Sequence, residues 1–450
     1  MHQAPTTKHY MKITLFWHRR DLRIHDNAGL TAALQSGFPV VPLFIYDREI
    51  LDLLPSRQDA RVTFIYEEVE RVGRKTAQSG GQLLAFYGRP LEVFQQLLTT
   101  YEVAAVYTNE DYEPYATERD TAVANLCQQH GAEFHALKDQ VIFAKNELLG
   151  KSGKPAKVFG AYRKAWLEAV RDEQLQPYPS AALFRPETLA KLPNAPRRPT
   201  LADMGFQECH QFVPAAELPA EELVRNYHLT RDKPGRVDSS TRRSVHLRFG
   251  TLSVRELMLQ AKTLNPKLLA ELIWRDYFMM LLWHYPNTAT ESYAPRLRHV
   301  PYRNNEDEFR AWCEGRTGYP LVDAGMRELN KTGYMPNRAR IATAGFLVKH
   351  LLIDWRWGDR YFSDKLLDYD MSQNVGNWQW MAGTGVVAAP WFRVYSPESQ
   401  LKQYDPDLAY VKKWVPEYGT STYPAPIVDH KFARERAIST LRAAFQAAAG

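Results

Sequence analysis

The chain has 450 residues, 45% hydrophobic and 24% charged, which is too long for one ordinary core and too apolar for a disordered protein. Its net charge of +6 is modest for that length, so it permits a phosphate-bearing partner without demanding one. Cys127, Cys209 and Cys313 have no metal-ligand spacing and cannot build a disulfide framework, which excludes a disulfide-stapled scaffold and points to a reducing, intracellular, cytoplasmic setting.

The opening MHQAPTTKHY is polar and carries no apolar segment, so residues 1–10 read as a disordered lead, with Met11 a candidate second start. No signal peptide or transmembrane run is expected. From Ile13, short apolar runs alternate with helix-period stretches: ITLFW, then VVPLFIY at 40–46, LLAFY at 83–87, AAVYT at 104–108 and EFHAL at 133–137. This alternation predicts a doubly wound parallel α/β domain over 11–140. The charge run HRRDLRIHDNAGL at 18–30 reads as a solvated structural loop after the first strand. Residues 141–215 hold one helix, VFGAYRKAWLEAV, and then a Pro-rich, basic stretch, expected to be a connector wrapping the surface. From 216 to 435 the pattern is helical, predicting an all-α second domain. There is no repeat, P-loop, zinc-type cysteine pair or strand-linked GxGxxG, and no metal site is expected.

Four segments carry chemistry. In RDKPGRVDSSTRRSVHLRFG, Ser240, Thr241 and Ser244 crowd hydroxyls beside Arg242 and Arg243, which suits either a pyrophosphate or a plain N-cap with solvated arginines. In ELIWRDYF, Glu271, Trp274 and Arg275 at i, i+3 and i+4 are expected on one helical face, as a grip on a polar planar ligand or as an ion pair beside a core tryptophan. In TGYMPNRARIATAGF, Asn337, Arg338, Arg340 and Ile341 lie within about one turn, and the Asn337 amide can read a base edge. The last is DYDMSQNVGNWQWMAGTGVVAAPWFR, 368–393, where carboxylates and amides lead into three tryptophans. It can line a pocket for a flat heterocycle or form an aromatic core.

Within that last stretch, Asp368, Asp370, Asn374, Gly376, Trp378, Gln379, Trp380, the following AAP and Phe392-Arg393 resemble the flavin-binding signature of the photolyase/cryptochrome family. Arg19, Arg20, Asp21, Leu22, Arg23, Asp26 and Asn27 resemble its N-terminal signature. The pattern is closest to class I cyclobutane pyrimidine dimer photolyases. The resemblance implies an FAD-binding helical domain, the FAD reduced when active, with Tyr227, Ser240, Thr241, Ser244, Arg275, Arg340, Asp368, Asp370 and Asn374 at the cofactor. It implies Glu271, Trp274, Asn337 and Trp380 at a flipped-out dimer, Trp378, Trp355 and Tyr302 as electron carriers, and Arg231, Arg338 and Arg393 on the DNA side. UV-damaged DNA is the implied partner and a monomer the expected state. A cryptochrome-like blue-light receptor is the alternative.

Several positions depart from the family pattern. Pro336 and Ile341 stand where dimer photolyases commonly have histidine and methionine, and the two histidines of (6-4) photolyases, at the positions of Asn337 and Ile341, are missing. Tyr302 replaces the outer tryptophan, so the last electron step is expected to slow or to divert through Trp357 or Trp391. Ala116 replaces the glutamate of folate-binding members, with Glu113 or Glu118 as substitutes after a shift. The second, antenna chromophore is accordingly expected to be absent or not folate.

Overall fold

The computed structural model describes residues 11–150, 152–211, 213 and 216–447; the expected disordered lead lies outside them. Strands β1 (Ile13–His18), β2 (Val40–Asp47), β3 (Leu84–Gly88), β4 (Val103–Asn109) and β5 (Glu133–Leu137) form one parallel sheet in the order β3-β2-β1-β4-β5. Every residue of β1 and β2 is buried. A sheet covered by helices on both faces needs such continuous apolar runs rather than alternation. The strand order reverses between β1 and β4, the place where open α/β sheets form a ligand crevice. Here side chains occupy it: Arg19 reaches from the end of β1 to Asp120 at 2.6 Å and to the Asn109 carbonyl, and Arg19 and Arg119 lie over the Trp17 ring at 4.9 and 4.8 Å.

The 18–30 run is structural, as expected, but it is not solvated. Asp21, Arg23, Asp26 and Asn27 are buried. Arg23 pairs with Asp139 at 2.7 Å, Asp26 with Arg255 at 2.7 Å, and Arg20 with Asp111, Glu113 and Asp370. The charges are buried because carboxylates and guanidiniums from both halves of the chain meet there, which is how buried charge is tolerated. Gly250, in the left-handed region at φ 62°, packs against the Arg20 carbonyl where any Cβ would collide.

The connector also departs from the expected surface wrap. Ile142, Phe143, Tyr162, Trp166 and Leu175 join the core built around the Pro266–His284 helix, whereas Phe184, Leu189 and Ala190 pack on the sheet domain. Asp276 ties the first group down, accepting from Ile142 N at 3.1 Å and Trp166 Nε1 at 3.2 Å. A run of exposed-looking sequence is thus divided between two cores by its few large apolar residues. Beyond it the chain is helical, and among the described residues no helix is long and apolar enough to cross a membrane.

Candidate functional site

A cavity of about 310 Å³ opens in the helical part, near the lower end of the ~300–1,000 Å³ typical of ligand sites. Its main wall is the Met371–Ala382 helix, which begins after Asp370 and stops at Gly383 in the left-handed region. Gln373, Asn374, Asn377, Trp378 and Met381 recur at helical spacing and line the cavity. The opposite face carries Gly376, where a Cβ would collide with the Phe278 ring, and Gln379, which donates to the Thr288 and Glu291 carbonyls at 2.8 and 2.9 Å. That face anchors the helix so that the other face can stay open.

The second wall is the Asn337–Gly345 helix. Asn337, Arg340, Ile341 and Ala344, spaced i, i+3, i+4 and i+7, all line the cavity. Arg340 Nη2 grips Asp368 at 2.8 and 2.9 Å and its Nε donates to the Met335 carbonyl at 2.8 Å. The third wall comes from the short Ser244–Phe249 helix and the turn before it, where Arg242 adopts φ 51° and its amide donates to Ser240 Oγ at 3.1 Å. Ser240, Ser244 and Arg248 face the cavity.

The charges around the cavity are not fully cancelled. Burial by itself would raise the Asp370 carboxyl, but Arg20 and Arg248 more than offset this and hold it well below the usual range. Arg275 is buried, donates to the Gln140 and Leu247 carbonyls, and makes no ion pair among the described residues; burial lowers its pKa. Burial outweighs the Asp370 and Asp276 charges that act on it, so the guanidinium can still hold an anion. Asn374 Nδ2 donates to Asp359 Oδ1 at 2.6 Å, and burial pushes that carboxyl up to about 7.

Of the residues singled out from sequence, Ser240, Ser244, Arg275, Asn337, Arg340, Asp368, Asp370, Asn374, Trp378 and Trp380 line this one cavity. Tyr227 and Thr241 lie outside its lining; Tyr227 packs under Arg231 at 5.3 Å, and the Thr241 carbonyl accepts from Arg243. The single face expected for Glu271, Trp274 and Arg275 is split. Arg275 faces the cavity, while Glu271 and Trp274 line a separate hollow with Phe159, Arg163 and Lys267. Adjacent helical residues point about 100° apart, and the Phe159–Ala169 helix covers one side: Phe159 stacks on Trp274 with centroids 3.6 Å apart. Glu271 is held by Arg231 and, at 3.6 Å, by Lys267. Arg338 pairs with Asp232 at 2.8 Å, whereas Arg393 is exposed. Trp355 is fully buried and Tyr302 lies in a separate cluster with Leu297, Val300 and Trp391. Glu113 pairs with Arg20 and Arg248 at 3.0 Å, so of the two substitutes for Ala116 only Glu118 is exposed.

Sequence reading missed Arg248, Tyr334, Gln373 and Asn377 in the lining. Arg248 lies at i+4 from Ser244, and Gln373 and Asn377 flank Asn374 by one and three residues, so helical spacing was the available signal.

Residues 268–421 match the family model described as the FAD binding domain of DNA photolyase, and residues 14–182 match the DNA photolyase model. The chain belongs to the DNA photolyase family. A deoxyribodipyrimidine photo-lyase of Synechococcus is 33% identical over 94% of this chain and 95% of its own length. An archaeal photolyase of Sulfolobus tokodaii, solved with two FAD molecules, is 33% identical and superposes with TM-score 0.82 over 95% of this chain and 99% of that one. A Synechocystis cryptochrome superposes with TM-score 0.85 at 26% identity, over 96% and 100% of the two chains. The likeness therefore marks the photolyase/cryptochrome family rather than a class within it. The cavity fits the family's cofactor: the unpaired Arg275 with Ser240, Ser244 and Arg248 suits a diphosphate, and Trp378, Phe362, Leu366 and Met381 give an apolar slot for a flat ring.

Proposed function

We propose that the chain repairs cyclobutane pyrimidine dimers in UV-damaged DNA with blue light, using reduced FAD in the cavity. The observation that carries this reading is one cavity in which diphosphate-type ligands, Ser240, Ser244 and Arg275, share walls with base-reading groups, Asn337 and Trp380. When bound, reduced FAD supplies an electron on absorbing blue light. Arg340 and Asp368 fix the neighbouring wall, and Asn374, with its amide nitrogen committed to Asp359, keeps its amide oxygen as a free acceptor that adds no charge. The dimer has to leave the helix stack to enter, as the handling of a base by such enzymes requires. Asn337 then hydrogen-bonds its edge and Trp380 covers a face, excluding water.

Glu271 is the group we assign to steadying the dimer, with Trp274 beside it; both line a hollow separate from the cavity, with Phe159 stacked on Trp274, so DNA binding has to open that stack for them to reach the dimer. In the absence of DNA, Glu271 is paired with Arg231. Phosphates that draw Arg231, Arg338 and Arg393 to the backbone release Glu271 towards the substrate. This reading takes the active form to be a monomer in the cytoplasm, in keeping with three free cysteines, and it takes 11–140 and 216–435 as the two functional parts joined by 141–215.

The deciding experiment illuminates the purified, reduced protein with a dimer-containing oligonucleotide and measures restored thymines by chromatography. Restoration only in the light is expected. Glu271→Ala should lose most of it while retaining flavin and DNA affinity. No light-dependent restoration would reject repair and leave the receptor reading.

A further inference from the structure

We propose that Glu113, from the sheet domain, competes with the FAD diphosphate for one guanidinium, Arg248, so that the sheet domain sets how tightly the cavity holds FAD. The inference needs only FAD in the cavity, which the repair and receptor readings share. Arg248 faces that cavity beside Ser240 and Ser244. Its Nη1 is nonetheless engaged from behind, with Glu113 Oε1 at 3.0 Å and Asp370 Oδ2 at 3.9 Å. Glu113 stands just before the Pro114–Gln129 helix, packed against the sheet, and is not part of the cavity lining.

Three guanidiniums, Arg20, Arg248 and Arg275, meet three carboxylates, Asp111, Glu113 and Asp370, at this junction of the described residues. Arg20 holds Asp111 at 3.2 Å, Glu113 at 3.0 Å and Asp370 as well. Further out, Arg19 and Arg119 act on Asp111, and Asp276 acts on Arg275. Burial raises all three carboxyls, but the arginines more than offset it at Asp370 and Asp111, which lie below the usual carboxylate range. At Glu113 burial prevails over Arg248 and Arg20, with Asp111 and Asp370 adding to it, and the carboxyl is raised.

A diphosphate brings further negative charge to guanidiniums that already have carboxylate partners, and the carboxylate held least firmly gives way. When Arg248 turns its charge to a diphosphate, Glu113 loses a partner and takes up a proton from water; Arg248 stays charged. Tyr369 lines the cavity and feels the Glu113 charge, but burial, with Asp359 and Glu113 beside it, holds its own hydroxyl proton on. Binding that takes up a proton is stronger at low pH. Retention of FAD should therefore weaken as pH rises through the Glu113 carboxyl of the FAD-bound form, by at most about tenfold per pH unit.

The test dilutes the FAD-loaded protein in the dark and reads released flavin by its fluorescence, from about pH 5 to about pH 8. Glu113→Gln keeps the shape and an acceptor oxygen without the charge. It should retain FAD about tenfold more tightly than the parent at about pH 8, and equally at about pH 5. Arg248→Gln should retain FAD less tightly, and adding Glu113→Gln to it should change nothing further, because the guanidinium at issue is gone. The Asp359 carboxyl, raised to about 7 at the Asn374 wall, titrates in parent and Glu113→Gln alike, so their difference cancels it. Glu113→Ala also removes the carboxylate and serves if the glutamine form does not fold, with circular dichroism as the folding check. Retention no tighter than the parent's in a folded Glu113 variant, or an equal gain from Glu113→Gln with Arg248 replaced, would overturn the proposal. Light-driven repair enters none of these readings, so its failure counts against the repair reading alone.

Discussion

Replacing Asp359 by asparagine should stabilise the protein at about pH 8 and leave it unchanged near pH 4, a difference set by one buried proton. Asp359 lies on the Trp355–Lys365 helix, where its Oδ1 accepts from Asn374 Nδ2 at 2.6 Å. Burial raises the carboxyl to about 7 and the Asn374 hydrogen bond offsets only part of that rise. In the unfolded chain the same group ionises near pH 4. Between about pH 4 and pH 7 the folded state therefore keeps a proton that the unfolded state has lost, and stability falls by about 1.4 kcal/mol per pH unit. Over some three units the loss reaches about 4 kcal/mol, and the partial exposure of the residue trims it to about 2–4 kcal/mol. Asparagine keeps the Oδ1 acceptor and has no proton to lose. Its advantage should be near zero at about pH 4, grow through the window and level off above about pH 7. Urea-unfolding midpoints of parent and variant, both saturated with FAD so that ligand linkage cancels, would measure it. A difference between the two that stays constant across the pH range would refute the reasoning.

Arg340→Met should weaken FAD retention by about 10- to 100-fold, because a charge-assisted bond is lost and Asp368 is left buried without its partner; gel filtration with flavin absorbance would measure it. Gly250→Ala should cost about 3 kcal/mol or more, combining a left-handed backbone with a collision against the Arg20 carbonyl, and thermal unfolding in the presence of FAD would read it. Denaturing the purified protein and identifying the released chromophores by mass spectrometry should find FAD without an equal amount of folate, since Ala116 is buried and cannot supply the missing hydrogen bond. Folate at near-equal amounts would overturn that expectation.

The parallel sheet was legible because its strands are continuous apolar runs whose burial is a local property: ITLFW and VVPLFIY have no polar face to offer solvent. The cavity walls were legible for a related reason. Helical spacing places Asn337, Arg340 and Ile341 on one side of a helix, and Asn374 and Trp378 on one side of another, whatever surrounds them. Spacing cannot say what covers a face. Trp274 and Arg275 were expected together, but Phe159, more than a hundred residues earlier, stacks on one and leaves the other to the cavity. The same limit hid the fate of the 18–30 charges, because whether a guanidinium is solvated or buried depends on the carboxylates it meets. Asp370 lies 350 residues from Arg20, and only folding brings them together. Local sequence decided which side chains share a face, and the tertiary structure decided which faces meet, because pairing energies between distant groups have no counterpart in the order of the chain.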